Sequence, residues 1–402
     1  MKEERRIFTK GLVVGIIVLV WGYTVVNGGM ALYRRHFAEQ ITVTEKMGLI
    51  HSILDQNFVG ELDMQAIQDG IFAGMLYGVG DRYTSYMNAE EFTRFMEFTR
   101  GTYVGIGAVV TRAEDGSVIV VTPYEGSPAN QAGILPNDRI KQVEGIDIRD
   151  KADLSEIIAL IQGQAGTPVN LTIYREDENR TFDVEVIRAL VEIPTISHEM
   201  LDNNIGFIRM TGFEAVTYNQ FVDAYEDLEA RGMEALILDL RNNPGGRLDT
   251  VVNITNRLVP EGLIVYTEDA QGQRRELFAE PGQIEIPFVI LLNGNSASAS
   301  EVLAGAAQDH GVATLVGEQS FGKGLVQDIF PLPDGSAIRV TVANYFTPLG
   351  RNIHEKGLTP DYVVEMSEED NANVSRLEPE EDIQLQKALE VIAGQLGLES
   401  VE

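Results

Sequence analysis

Two runs, ALILDLR at 235–241 and PFVILLN at 287–293, are apolar through their centres without alternation. A strand with one wet face alternates, so a run of this kind has to be covered on both faces. NIGFIRM at 204–210 and VATLVG at 312–317 read as further strands. TYNQFVDAYEDLEARG at 217–232 and LDTVVNITNRLV at 248–259 read as helices, the first closed by a glycine. Strand–helix alternation predicts a largely parallel, buried sheet over residues 191–366. PDG at 333–335 marks a hairpin into SAIRVTVANYF.

The remaining chain divides by texture. With 402 residues it is too long for one ordinary domain. Residues 34–100 read as helical, through FAEQITVTEKMGLIHSILDQNF and MQAIQDGIFAGMLYGV. Over 101–190, YVGIGAVV, GSVIVVTPY, DRIKQVEG and VNLTIYRE are short β-type runs punctuated by Gly, Pro and Asp. One helix, DLSEIIALIQ, sits among them with Asp153 as its cap. Residues 367–402 form an acidic tail ending in the helix DIQLQKALEVIAGQ. The fold class expected is multi-domain α+β: an N-terminal membrane helix, a small helical segment, a small β domain, and an α/β core with a mostly parallel sheet.

Charge and cysteine content narrow the partners. Net charge is −30, from 31 basic and 61 acidic residues, with no basic block, which argues against nucleic acid. There is no cysteine, so thiolate chemistry, disulfides and Cys-ligated zinc are excluded. From Gly11 to Tyr33 no residue is charged, enough to cross a bilayer, which takes about 20 residues. Residues 1–33 are expected to be a cytoplasmic stub and membrane anchor, with the body outside the cytoplasm. The alternative is a cleaved signal peptide and a secreted body.

NGNSASASEVLAG at 293–305 places Ser296, Ser298 and Ser300 between a strand and a helix. A tight turn there lifts one hydroxyl off the sheet edge, and N–H groups at the helix start can hold an oxyanion. Capping competes with this reading, since Ser298-x-x-Glu301 is a capping box and Ser300 could also cap. If one serine is a nucleophile it needs a base. Of His36, His51, His198, His310 and His354, His310 is nearest in sequence. A helix over 299–310 rises about 18 Å, which carries that imidazole to the far end. Lys323, in the Gly-flanked loop of EQSFGKGLVQ, is the other option. Burial would lower its pKa and let it act neutral. The phosphate-loop spacing is absent, because Gly324 follows the lysine. DLRNNPGG at 239–246 ends a strand in a loop able to present N–H groups to an anion.

NSASASEVLAGAAQDHG, VGEQSFGKGLVQ and DLRNNPGG together resemble the C-terminal processing peptidases, or tail-specific proteases. The resemblance extends through GDRYTSYM, YVGIGAVV, GSPANQAGILPNDRIKQVEG and FTPLGRNIHEKGLTPD, most of residues 40–395. It implies Ser298 as nucleophile, Lys323 as general base and Gln327 positioning the lysine. It implies an oxyanion hole from the N–H of Ala299 and of Gly245 or Gly246. Some members give weight to an acidic residue matched by Asp309, which equally reads as an exposed helix-end carboxylate. The β domain resembles a PDZ domain, whose carboxylate-capturing loop matches Tyr103, Val104, Gly105, Ile106 and Gly107. Where the family often has arginine in an I-R-G block this chain has Ile161-Gln162-Gly163, which puts coupling of tail capture to activation in doubt.

The resemblance thus implies an extracytoplasmic serine endopeptidase with a Ser-Lys dyad and no metal or organic cofactor. Its partners would be a protein or peptide with a free C-terminus and the membrane, with self-association left open. The competing classes are an inactive PDZ-type tail-binding scaffold and a Ser-His-Asp hydrolase using His310 or His354.

Overall fold

A computed structural model of the chain describes residues 21, 23–30, 41–149, 151 and 153–398. The chain divides into two compact units, Met1–Phe72 and Ala73–Glu402. In the first, residues 23–30 are helical, and helix α1 (Val43–Asn57) starts at a capping box between Thr42 and Glu45. Among the described residues no helix is long and apolar enough to cross a membrane. The expected span Gly11–Tyr33 lies for the most part outside those residues. Helix α2 is Met64–Tyr77.

The second unit opens with strand β1 (Ser85–Met87) and helix α3 (Ala89–Arg100). The expected run YVGIGAVV is in fact two strands, β2 (Thr102–Gly105) and β3 (Ala108–Arg112). Gly107 has φ +78°, which breaks the extended path and lets the chain leave one sheet for another. The small β domain continues with β4 (Val118–Pro123), α4 (Pro128–Gln131), β5 (Arg139–Val143), β6 (Ile146–Asp147), α5 (Leu154–Ile161), β7 (Pro168–Arg175) and β8 (Arg180–Ile187). Strands β3, β4, β5, β7 and β8 pair antiparallel in that order around a core that includes Val118, Ile140, Ile157 and Leu171. Asp153 caps α5 as expected. Strand β9 (Ala189–Glu192) returns to pair with β2, so a two-stranded ribbon carries the chain into and out of this domain.

The core domain holds β10 (Ile196–Leu201), β11 (Ile205–Met210), α6 (Thr217–Ala230), β12 (Ala235–Asp239), α7 (Leu248–Leu258), β13 (Gly262–Asp269), β14 (Arg274–Ala279), β15 (Phe288–Leu292), α8 (Ala299–Asp309), β16 (Ala313–Gly317), β17 (Leu325–Pro331), β18 (Ala337–Phe346) and β19 (Tyr362–Val363). The main sheet runs β10-β11-β12-β15-β16-β19. Every pairing in it is parallel except β10 with β11. Strands β12 and β15 are buried at every position. Leu236 and Leu238 pack with α6, α7 and α8, while Ala235 and Ile237 face the opposite side with Val289 and Leu291.

That opposite side is covered by the tail. After a short helix α9 (Glu368–Asn373), helix α10 (Ile383–Leu396) sets Leu385, Ala388 and Ile392 on it. The tail is therefore a layer of the core, which its acidic composition does not announce. A second sheet, β1-β18-β13-β14 with β17 on β18, stands beside the first. Its strand β1 lies in a stretch that reads as helical from sequence.

Candidate active site

Three adjacent parallel strands, β12, β15 and β16, release their loops from the same C-terminal edge, where open α/β sheets build sites. Those loops are Leu240–Arg247, Asn293–Ser298 and Glu318–Gly324. The sheet order thus brings together three segments that are far apart in sequence.

Ser298 stands at the N-terminus of α8 with φ 56° and ψ −113°. A serine in that region of backbone space costs about 1–3 kcal/mol, so the surroundings have to impose it. They do so through both neighbours. Ser296 and Ser300 are fully buried. Ser296 Oγ donates to Leu240 O at 2.8 Å and accepts from Asn293 N–H at 3.0 Å. Ser300 Oγ donates to Asn243 O at 2.9 Å, so it ties two loops together and does not cap the helix. Ala297 N–H donates to that same carbonyl at 3.0 Å. Tyr345 OH donates to Ser298 O at 3.0 Å. Ser298 alone of the three is partly exposed.

The glycines separate by the same accounting. Gly245 N–H donates to Asn243 Oδ1 at 2.9 Å and is committed. Gly246 N–H and Ala299 N–H have no acceptor among the described residues. The unpaired backbone donors beside Ser298 are therefore those of Gly246 and Ala299, and Gly245 has another duty. A Cβ on Gly245 would lie 2.8 Å from Ser298 Cβ and 2.9 Å from Ala299 N, and its φ is +103°. Only glycine lets the loop come that close. Asn243, buried and hydrogen-bonded to Met210, Leu240, Gly245, Ala297 and Ser300, organises both loops, a role its place in DLRNNPGG does not announce.

Lys323 is joined to the elbow by its backbone. Glu301, fully buried on α8, accepts Ser298 N–H at 2.9 Å and Lys323 N–H at 2.8 Å on one oxygen, Oε2. Its Oε1 takes Gly322 N–H at 2.7 Å and Ser320 Oγ–H at 2.5 Å. The lysine side chain is half-buried, and its Nζ lies 4.9 Å from the centre of the Tyr83 ring. No hydrogen bond joins it to Ser298 Oγ among the described residues. Burial, then the Arg339 and Arg82 charges, hold its pKa below the ordinary lysine range, against the pull of Glu301. Gln327 lies on β17 with its Nε2 buried and without a hydrogen-bond partner among the described residues.

A cavity of about 600 Å³ opens here, lined by Tyr83, Asn242, Pro244, Asn295, Ala297, Phe321, Lys323 and Ala372. Tyr83 comes from ahead of β1 and Ala372 from α9, and neither was expected from sequence. Asn371 fixes α9 by accepting from Asn242 Nδ2 at 2.8 Å and donating to Glu318 Oε1 at 2.7 Å. A second cavity, of about 660 Å³, lies against the β domain beside Ser127 and Leu190 and contains none of these groups.

Other expected residues lie elsewhere. Asp309 ends α8, about 15 Å from its start. It accepts Leu349 N–H at 2.8 Å and pairs with Arg351, so it anchors the 347–351 loop and does not reach the elbow. His310 shares a hydrogen bond with Leu263 O at 2.8 Å, which assigns the Nε2 proton to the ring. His51 and His198 are exposed and bonded to Met64 and Asp227. His354 Nδ1 is buried without a partner among the described residues, and the backbone of His354 packs on Gly324. His36 lies outside the described residues.

In the β domain, Tyr103–Gly107 spans the end of β2 and the turn into β3. A Cβ on Gly107 would lie 2.5 Å from Ser127 Cβ. Burial pushes the Tyr103 hydroxyl up to about 12, with Tyr124 adding to it, while the N–H groups of Ala108 and Gly107 pull the other way. Gln162 caps α5, and its Cγ would be 3.8 Å from a Cβ on Gly105, so it borders the loop. Arg188 binds the carbonyls of Ile161 at 2.6 Å and Leu160 at 3.2 Å at the end of α5.

A model of peptidase family S41 matches residues 204–364, and a PDZ domain model matches residues 103–186. The chain is 32% identical over 368 residues to the carboxy-terminal processing protease CtpA of Bacillus subtilis (strain 168), covering 91% of this chain and 78% of that one. It is 36% identical over 327 residues to a carboxy-terminal-processing protease of Bartonella bacilliformis, covering 80% and 74%. A crystal structure of a putative S41 protease from Bacteroides fragilis NCTC 9343 shares the fold, with a TM-score of 0.51 at 15% identity over 80% of this chain and 90% of that one. The chain belongs to the carboxy-terminal processing proteases, PDZ-containing serine peptidases of family S41.

Proposed function

We propose that this peptidase works through a Ser298–Lys323 dyad. The observation that carries the reading is the single oxygen of Glu301 that accepts the backbone N–H of both residues. Neutral Lys323 takes the proton as Ser298 Oγ attacks the peptide carbonyl. Its flexible stem lets the amine leave the Tyr83 face for the hydroxyl. The oxyanion forms against Ala299 N–H and Gly246 N–H. Lys323 then gives its proton to the leaving amine, and the acyl-enzyme is hydrolysed by water, with Lys323 again as base. Gln327, four residues after the lysine on β17, positions the amine, and the single lone pair of neutral Lys323 stays free for the Ser298 hydroxyl.

The PDZ domain selects the substrate. N–H groups of the Tyr103–Gly107 loop capture a free C-terminal carboxylate while the tail adds as a strand to the sheet edge. The uncharged run Gly11–Tyr33 anchors the enzyme in a membrane with its body on the extracytoplasmic side. Cleavage of a peptide with a free C-terminus by wild type, Ser298→Ala and Lys323→Ala tests the dyad. Both variants are expected to be folded and inactive, and an active Lys323→Ala enzyme would refute it. Protease added outside cells stripped of outer barriers should digest the body, and protection of the body would reverse the topology.

A further inference from the structure

The segment Asp81–Thr84 lies ahead of the PDZ domain, more than 150 residues before the first of the three loops. Yet it is fastened to β18 beside Lys323. Asp81 Oδ2 accepts from the hydroxyls of Thr84 and Thr341, each at 2.6 Å, and its Oδ1 accepts Tyr83 N–H at 3.1 Å. Arg339 Nε donates to Tyr83 O at 3.0 Å. Strand β1 then continues the attachment, Ser85 opposite Arg339 and Met87 opposite Ala337. Such a clamp leaves Tyr83 little freedom.

What the clamp delivers is a ring and two cations. Lys323 Nζ sits 4.9 Å from the Tyr83 ring centre. The Arg82 guanidinium lies 4.7 Å from the same centre, 5.7 Å from that of Phe321, and donates to Tyr83 OH at 2.5 Å. Arg82, Arg339 and Lys323 form no ion pair among the described residues, in a chain where acidic residues outnumber basic ones 61 to 31. Asp81 forms an ion pair with none of them among the described residues: its carboxylate is held by the Thr84 and Thr341 hydroxyls and the Tyr83 N–H.

We propose that Tyr83 is a positioning residue on which Lys323 rests, and that Arg82 and Arg339 are positioning residues whose charges favour the neutral, working form of the lysine. The proposal rests on the dyad reading and adds the elements that make it run near neutral pH. A third cation beside two others is disfavoured by like-charge repulsion, most where water is displaced. The groups facing Lys323 are few. Burial disfavours its charged form most, Arg339 and then Arg82 add to this, and Glu301 on α8 opposes it. The loop bearing His354, Glu355 and Lys356 backs Gly322 and Gly324 through its main chain. Arg82 is exposed, so its share is screened by salt, and Arg339, half-buried, has the larger share.

The test is the pH dependence of kcat/KM on a peptide with a free C-terminus, using the full chain. Removing a neighbouring positive charge raises the lysine pKa. Arg82→Gln and Arg339→Gln should therefore move the acid limb to higher pH, by about half to one unit. In both variants the rate should still rise to a plateau at high pH, and the Arg82→Gln shift should shrink in high salt. Arg82→Lys should keep the wild-type limb, because it keeps the charge. Tyr83→Ala should lower kcat at all pH values, and Tyr83→Phe much less. An unmoved limb in both glutamine variants, or a lowered rate at every pH without a moved limb, overturns the proposal. An active Lys323→Ala enzyme would instead remove the dyad itself, so the two failures are distinct.

Discussion

Arg241 grips Asp382, 141 residues further along the chain, through two hydrogen bonds of 2.8 and 2.7 Å, with both side chains buried. Arg241 stands at the start of the Leu240–Arg247 loop and Asp382 caps α10, so the tail is locked to the base of the candidate active site. Arg241 also holds Asp239, which Arg209 contacts from β11.

Breaking one side of this network strands a buried charge, which costs about 3–5 kcal/mol. Asp382→Ala is therefore expected to destabilise the core by that order, measured by urea unfolding. The pH response follows from Asp239. Burial pushes its pKa up, but the Arg241 and Arg209 charges and the Arg241 hydrogen bonds win, and the net shift is downward. A depressed carboxyl contributes stability that is present above its unfolded value and lost as pH falls through the folded one. Wild type should lose this contribution only below about pH 4, the unfolded value. Asp239→Asn should flatten that acid limb.

Glu301 is expected to be indispensable without touching substrate. Glu301→Gln puts an NH₂ group where four donors converge, leaving buried N–H groups unpaired at about 1–3 kcal/mol. Because Ser298 and Lys323 both shift, kcat should fall about 100-fold. Full activity in a folded Glu301→Gln enzyme would show that the two N–H bonds do not align the dyad.

The three serines should separate by phenotype. Ser300→Ala removes one of two donors to Asn243 O and should cost about 1 kcal/mol. Ser296→Ala leaves Asn293 N–H without its acceptor and should cost more, up to about 3 kcal/mol. Both should keep measurable turnover, whereas Ser298→Ala should have none. Gly245→Ala is the counterpart in the facing loop: it should fold poorly or turn over no substrate, since its Cβ has no room. Unfolding curves beside turnover numbers read all four.

Tail capture should depend on charge and on Gly107. Charge-assisted hydrogen bonds are stronger than neutral ones, so amidating a substrate's C-terminus should raise KM. Gly107→Val should do the same, because φ +78° is strained for valine and its Cβ would clash with Ser127. Equal cleavage of free and amidated tails would remove the PDZ loop from recognition.

Much of this molecule is written locally. Unbroken apolar runs 235–238 and 288–292 dictate a covered parallel sheet, Gly-punctuated short strands dictate the small β domain, and the SASASE and FGKG blocks point to the chemistry. These are periodicities and turn signals, which neighbours along the chain suffice to produce. What the sequence left open depended on contacts between distant segments. Which glycine keeps a free N–H is decided by Asn243, whose Nδ2 is held on Met210 O of β11 so that its Oδ1 takes the N–H of Gly245. Whether Ser300 caps its helix or ties loops is decided by Asn243 O. The segment at Tyr83 and the tail at Ala372 reach the same cavity only because β1 adds to β18 and α10 covers the second face of the main sheet. Hydrogen-bond partners and burial are properties of the folded neighbourhood, so tertiary structure alone assigns them.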